Sequence, residues 1–230
     1  MLSGNTDCYQ PYERKAGITR KILETLREYG NPVSIITKND LILRDIDILE
    51  DMARNNLVHV NVSITTLDEE VRRLMEPRTA TVSKRLNVIE QLSQRGIPVN
   101  VMAAPIIPGL NNHELFSIVK TAAACGARSA AYTMVRLNGM IPEVFEDWLR
   151  LHFPDRADKI LHQVAHVHGG QLNDSRFGTR LTGEGELAAS INRVFHAAKH
   201  KFMRNRSMGS FDLSHFRNKH NRQLSLFGAC

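Results

Sequence analysis

Apolar residues fall in two patterns along this chain: short, nearly continuous runs, and longer stretches where they return every third or fourth position. The clearest run is residues 96–112, Gly-Ile-Pro-Val-Asn-Val-Met-Ala-Ala-Pro-Ile-Ile-Pro-Gly-Leu-Asn-Asn. Gly96 can end a helix, the apolar run predicts a buried strand, and Pro108-Gly109 close it. Asn111 and Asn112 are placed to cap the next helix. A strand apolar on both faces implies helices over both faces, the condition of a parallel sheet. The unit recurs: Gly30 precedes Pro-Val-Ser-Ile-Ile-Thr-Lys, Gly126 precedes Ala-Arg-Ser-Ala-Ala-Tyr-Thr-Met-Val, and Asn55-Asn56 precede Leu-Val-His-Val-Asn-Val-Ser-Ile. Four such units predict strands alternating with helices around a parallel sheet.

The expected strands cover residues 33–38, 57–65, the 96–112 segment and 129–137. Periodicity places helices at 11–29, 45–55, 82–95 and 112–125. Residues 1–11 read as a strand end and loop. Four strands do not close a (β/α)8 barrel, and an open sheet starting on a loop would leave an apolar edge. The chain is therefore expected to be the latter part of a longer protein. Beyond Pro142 the pattern turns to helices and polar loops, with a loop at 169–185 and a helix at 186–202. The remainder is charged and weakly periodic, and is expected to be largely disordered.

Composition narrows the class. Among 230 residues there are 30 Lys and Arg against 24 Asp and Glu, with the excess mostly after Lys199. That describes a basic tail more than a basic fold. Cys8, Cys125 and Cys230 are far apart and odd in number, so no disulfide framework follows and a reducing cytoplasm fits. No signal peptide and no membrane-spanning run is found. At the expected strand ends stand Thr6 and Asp7, Lys38, then Ser63, Thr65 and Thr66, then Ala104 and Pro105. A lysine can take a carboxylate and small hydroxyls an amine or sugar, which suits a zwitterionic, ribose-bearing ligand. Such residues are also common at ordinary strand ends.

Six segments together resemble radical S-adenosylmethionine (radical SAM) proteins of the group related to spore photoproduct lyase, described as DNA repair photolyase-like. They are Thr-Asp-Cys-Tyr-Gln-Pro-Tyr-Glu at 6–13, Ile-Thr-Lys at 36–38, Val-Ser-Ile-Thr-Thr at 62–66, Met-Glu-Pro-Arg at 75–78, Ala-Pro-Ile-Ile-Pro-Gly-Leu-Asn at 104–111, and Asp-Ser-Arg-Phe-Gly-Thr-Arg at 174–180. The resemblance implies an α/β fold: a partial parallel (β/α)6 barrel, here truncated at its N-terminus and ending near residue 142, then a helical extension over 143–202 and a basic flexible tail over 203–230. It also implies a 4Fe-4S cluster on a C-x3-C-x2-C loop that cleaves S-adenosylmethionine to a 5′-deoxyadenosyl radical. Carried over, Thr6 and Asp7 meet the methionine end, Lys38 the carboxylate, and Ser63 the ribose or carboxylate. Thr65 stands at the same strand end, Ala104 meets adenine through its backbone, and Glu76 and Arg78 brace the site. No three cysteines here have the cluster spacing, so the chain is not expected to hold the cluster by itself.

Three smaller features remain. Cys8 lies where the resemblance implies a hydrogen-donating cysteine, though a small buried hydrophobe has the same sequence signature. His162 and His166 are four apart with His168 behind them, a spacing that can hold a divalent ion or simply make a polar helix face. Gln223, Leu224, Ser225, Leu226 and Phe227 resemble the pentapeptide that docks bacterial repair proteins on the DNA polymerase sliding clamp, and the basic run 204–222 before it suits nucleic acid. Two functions stand side by side: a radical SAM enzyme acting on a nucleic-acid lesion, and a non-catalytic module binding the clamp or DNA. An aldolase-type barrel using Lys38 is a third, weakened by its strand count.

Overall fold

In a computed structural model of the protein, residues 1–174 and 176–217 are described. Four parallel strands, β1 (Val33–Thr37), β2 (Val58–Ser63), β3 (Val99–Ile106) and β4 (Ser129–Met134), form one sheet in the order β1-β2-β3-β4. Each lies within the segment its apolar run predicted. Among the described residues, no helix is long and apolar enough to cross a membrane.

Helices follow the expected alternation with informative differences. The stretch expected as one helix at 11–29 is two, α1 (Glu13–Ala16) and α2 (Ile18–Glu28). Gly17 between them takes a left-handed φ of 62°, open to glycine at no steric cost. The Glu13 carboxylate caps the second helix, accepting from the amides of Ile18 (3.1 Å) and Thr19 (2.9 Å). α3 (Ile46–Arg54) follows a 3-10 turn, and α4 (Glu69–Met75) is capped by Asp68, which accepts from the amides of Glu70 and Val71. α5 (Val82–Gln94) starts on Thr81, and α6 (Leu115–Ala124) follows a 3-10 turn at Asn112–Glu114.

Only one face of the sheet is apolar and helix-covered, a correction to the two-sided burial expected above. Val33 and Ile35, Val58, Val60 and Val62, Val99, Val101 and Ala103 join one core with residues of α3, α5 and α6. Neighbours in the opposite alternation form a polar ladder: Asn61 Nδ2 donates to Ser34 Oγ (3.0 Å) and Asn100 Nδ2 to Asn61 Oδ1 (3.0 Å). That face is the inner wall of an open half-barrel.

After the sheet come α7 (Ile141–His152), α8 (Ala157–Val167) and α9 (Gly185–Met203). α7 and α8 enclose a second apolar cluster that takes in Ile107, Val135 and Leu137 at the carboxyl ends of β3 and β4. α9 packs on α6 and along β4, where Tyr132 meets Phe195 at 4.8 Å. The Met134 amide donates to the Leu181 carbonyl (2.8 Å), so the outer edge of β4 is partly paired. At the other edge Leu2 makes an isolated parallel bridge to Ile35. The sheet is thus less bare than a four-stranded edge implies.

Residues 204–217 differ from the disordered tail expected of them: they run back under the amino ends of the strands. Arg206 Nη1 donates to the Ala123 and Ala127 carbonyls (2.7 and 2.8 Å), Phe211 stacks on His59 with ring centroids 4.1 Å apart, and the Asp212 amide reaches the Asn56 carbonyl. At Gly30, φ is 61° and a side chain would collide with the His215 carbonyl. Charge in this stretch satisfies orphan helix-end carbonyls, a use that periodicity does not register.

Candidate functional site

The carboxyl ends of the strands bring most of the expected residues together. Asp7 ties the N-terminal loop to β1: its carboxylate accepts from the Thr37 hydroxyl (2.9 Å) and from the amides of Lys38 (2.8 Å) and Tyr9 (2.9 Å). Three donors occupy three of its roughly four lone-pair sites. Lys38 and Ser63 follow on the inner face and line, with Asp7, Thr37 and Ile36, a recess of about 280 Å³. That is just under the ~300 Å³ at which whole small-molecule pockets begin, so it suits part of a larger ligand. Thr6 is exposed beside this recess, between the lining residues Asn5 and Asp7.

Glu76 is the hub. The Lys38 ammonium lies 2.5 Å from its Oε1, the Thr65 hydroxyl donates to the same oxygen (2.7 Å), and Arg85 Nη2 donates to Oε2 (2.7 Å). Burial would raise its pKa, but the charges of Lys38 and Arg85 outweigh that and hold the carboxyl below the ordinary range. Arg85 is itself buried, donating Nε to the Ala80 carbonyl and Nη1 to the Ser63 carbonyl (3.0 Å). Arg72 holds the following turn by donating to the Glu76 carbonyl (2.9 Å). The bracing expected of Arg78 is therefore done by Arg85 and Arg72, while Arg78 is exposed. One signal was available: Arg85 falls on the buried 82–85–89–92 stripe of α5, where an arginine needs internal partners.

The ends of β2 and β3 are clipped together. Thr65 Oγ1 also faces the Ala104 carbonyl (3.1 Å), so that backbone acceptor is turned toward the hub. Asn111 does not cap the next helix; fully buried, it accepts from the Ile107 amide (2.6 Å) and donates to the Thr65 (2.8 Å) and Pro105 (3.0 Å) carbonyls. Thr66 and the Leu67 amide are both held by Glu114.

Cys8 is half-buried against the core. Burial is the main cause of its raised thiol pKa, with the Ser3 hydroxyl opposing, which keeps the sulfur protonated. Cys125 lies at the opposite, amino end of the sheet, after α6. Among the described residues no three His, Cys, Asp or Glu side chains are placed to hold a metal. The thiols present do not fit a cluster. The His162 and His166 rings are 6.5 Å apart, and His168 is turned away, its Nε2 on the Val135 carbonyl (2.8 Å). Cys230 and the clamp-like residues 223–227 lie outside the described residues.

Comparison with known proteins identifies the family. An uncharacterized protein of Mycobacterium tuberculosis is 32% identical over 160 residues, covering 69% of this chain and 47% of the relative. One from Methanocaldococcus jannaschii is 27% identical over 164 residues, covering 71% and 60%. The chain spans about half the length of the curated relatives it matches. Among solved structures, spore photoproduct lyase complexed with dinucleoside spore photoproduct superposes with a TM-score of 0.58 at 14% identity, covering 86% of this chain and 57% of that one. A variant of the same lyase with bound AdoMet and dinucleoside spore photoproduct gives 0.57, with the same coverage. At that identity the likeness is one of fold. The Radical SAM superfamily model matches residues 1–122, a span holding β1 to β3, the recess and the Glu76 hub, and on that match the chain belongs to the radical SAM superfamily.

Proposed function

We propose that the protein carrying this chain is a radical SAM enzyme acting on damaged nucleic acid, and that the chain supplies the wall that holds S-adenosylmethionine. The observation that carries the reading is the pairing of Lys38 and Ser63 over one recess, with Asp7 at its rim and Glu76 fixing the lysine. An ammonium, a free-standing hydroxyl and a carboxylate are the groups a zwitterionic amino-acid end needs. Ala104, Thr65 and the backbone between them form the neighbouring wall, where the adenine and ribose would lie. Cys8, protonated and beside this end, is a candidate hydrogen donor. When bound, the cluster and its cofactor supply the radical; these residues bind, orient and exclude water. The spore photoproduct lyases are named for a nucleic-acid photoproduct, which motivates the substrate class.

Isothermal titration of the chain with S-adenosylmethionine tests the cofactor wall. Binding is expected, and Lys38→Ala should weaken it roughly tenfold, the worth of one hydrogen bond to a charged group. After anaerobic reconstitution with iron and sulfide, S-adenosylmethionine and a one-electron reductant such as dithionite are expected to give methionine and 5′-deoxyadenosine with the longest reading frame containing the chain, and none with the chain alone. Absence of any binding heat, or equal affinity in Lys38→Ala, would sink the assignment. Among the described residues nothing favours the clamp-binding alternative over this one.

A further inference from the structure

A second recess opens at the same end of the sheet, on the far side of the Thr65–Glu76 hub, and the cofactor wall does not use it. It measures about 320 Å³ and is lined by Met75 at the end of α4, Pro105 of β3 and Ile107 just after it, Arg136 after β4, and Phe145 and Trp148 of α7. Its surface is mostly carbon, and its aromatic wall is built. Trp148 Nε1 donates to the Leu74 carbonyl (3.2 Å), which fixes the indole. Phe145 lies nearly parallel to it, with ring centroids 5.9 Å and planes 21° apart. Ile141 and Val144 leave further apolar surface exposed on the rim.

One polar group interrupts this wall. Arg136 Nε is buried without a hydrogen-bond partner, and among the described residues its guanidinium makes no ion pair. Other sheltered arginines are satisfied: Arg85 by Glu76, Arg72 by Glu69, and Arg44 by Glu13 and Asp45. A buried N–H left bare carries a desolvation cost that an incoming acceptor relieves. The backbone just before it is fixed, since the Val135 amide donates to the Ile106 carbonyl and the Val135 carbonyl accepts from His168. An aromatic wall beside a guanidinium that is unpaired among the described residues matches a flat ring that carries an anion.

We propose that this recess is the substrate subsite and that it takes a single nucleotide, its base against Trp148 and Phe145 and its phosphate on the Arg136 guanidinium. The proposal rests on the reading of the neighbouring recess as the cofactor wall, and it places the substrate across the hub from that wall. The volume accommodates one base with its sugar and phosphate. Base–aromatic stacking supplies affinity with little sequence preference, and the arginine supplies the requirement for a phosphate.

Trp148 is the single tryptophan of the chain, so intrinsic fluorescence reports on this recess directly. The full chain is titrated with thymidine 5′-monophosphate, with thymidine, and with octanoate. The nucleotide should quench the emission saturably and bind more tightly than thymidine. Arg136→Gln should weaken the nucleotide roughly tenfold or more while leaving thymidine unchanged, with circular dichroism and S-adenosylmethionine binding as wild type. Equal weakening of both probes, or none, overturns the role of Arg136. Octanoate binding as tightly as the nucleotide overturns the nucleotide assignment. Absent quenching in a chain that still binds S-adenosylmethionine overturns the subsite alone, and quenching without S-adenosylmethionine binding overturns the cofactor wall alone.

Discussion

Glu76 is only 8% exposed at its side chain and stands between Lys38 and Arg85. Replacing it with Gln keeps the shape but leaves the arginine charge buried without its counterion. Breaking a buried pair in this way costs roughly 3–5 kcal/mol. Urea denaturation of Glu76→Gln should show a loss of that order. Because the folded-state pKa of Glu76 is depressed, its contribution is present above the unfolded value near ~4.3 and is lost as pH falls through the lower folded value. Wild-type stability should therefore drop more steeply than the variant's in that acidic window; parallel curves would show that Glu76 is not the linked group. At this scale the sequence made half of the site legible. Lys38 and Ser63 were visible because they end apolar strands within two of the segments that carry the family resemblance. Arg72 and Arg136 were not, since a charge on a helix or loop looks solvated in the sequence, and Arg85 was marked only by its place on the apolar stripe of α5.

Strand ends are fastened by side chains more than by loops, and Asn111 shows the energetics. Its amide satisfies three backbone groups on two strands' ends, and its own exposure is 0%. In Asn111→Ala the Ile107 amide and the Thr65 and Pro105 carbonyls lose their partner, at roughly 1–3 kcal/mol for a buried polar group left bare. A destabilisation of at least ~2 kcal/mol is expected by thermal melting, together with weaker S-adenosylmethionine binding, because Thr65 holds Glu76, which in turn holds Lys38 over the recess. A variant that melts like wild type would show that the clip carries little. Elements were the most legible level: all four strands came from apolar runs between stop signals. The break at Gly17 escaped because the helical spacing of Ile18, Ile22, Leu23 and Leu26 begins only after it and does not say whether the helix runs back through residues 11–17. The one-sided core was marked in β2, whose Val-His-Val-Asn-Val-Ser alternates, and masked in β3, where Asn100 is the one polar residue of an apolar run.

Across the molecule, residues 204–217 act as a strap under the half-barrel. Phe211 on His59 and Arg206 on the α6 end are its fastenings. Phe211→Ala should release the strap without unfolding the sheet, seen as faster amide exchange in 204–217 with the strands still protected. Uniform exchange acceleration would mean that strap and sheet unfold together. Burial is the main cause of the lowered pKa of His59. Its neutral form is favoured in the folded chain, and the fastening weakens as pH falls below the unfolded value near ~6.5. This level was the least legible, because a basic segment of weak periodicity reads as a tail unless the carbonyls it meets are in view.

The polar ladder of Ser34, Asn61 and Asn100 has an effect beyond packing. With the apolar burial gathered on the helix side, thermodynamic cohesion and the concave wall reside in different residues. Substitution along that wall leaves the core intact, so the cavity can drift toward new ligands over generations while the scaffold that presents it keeps its shape.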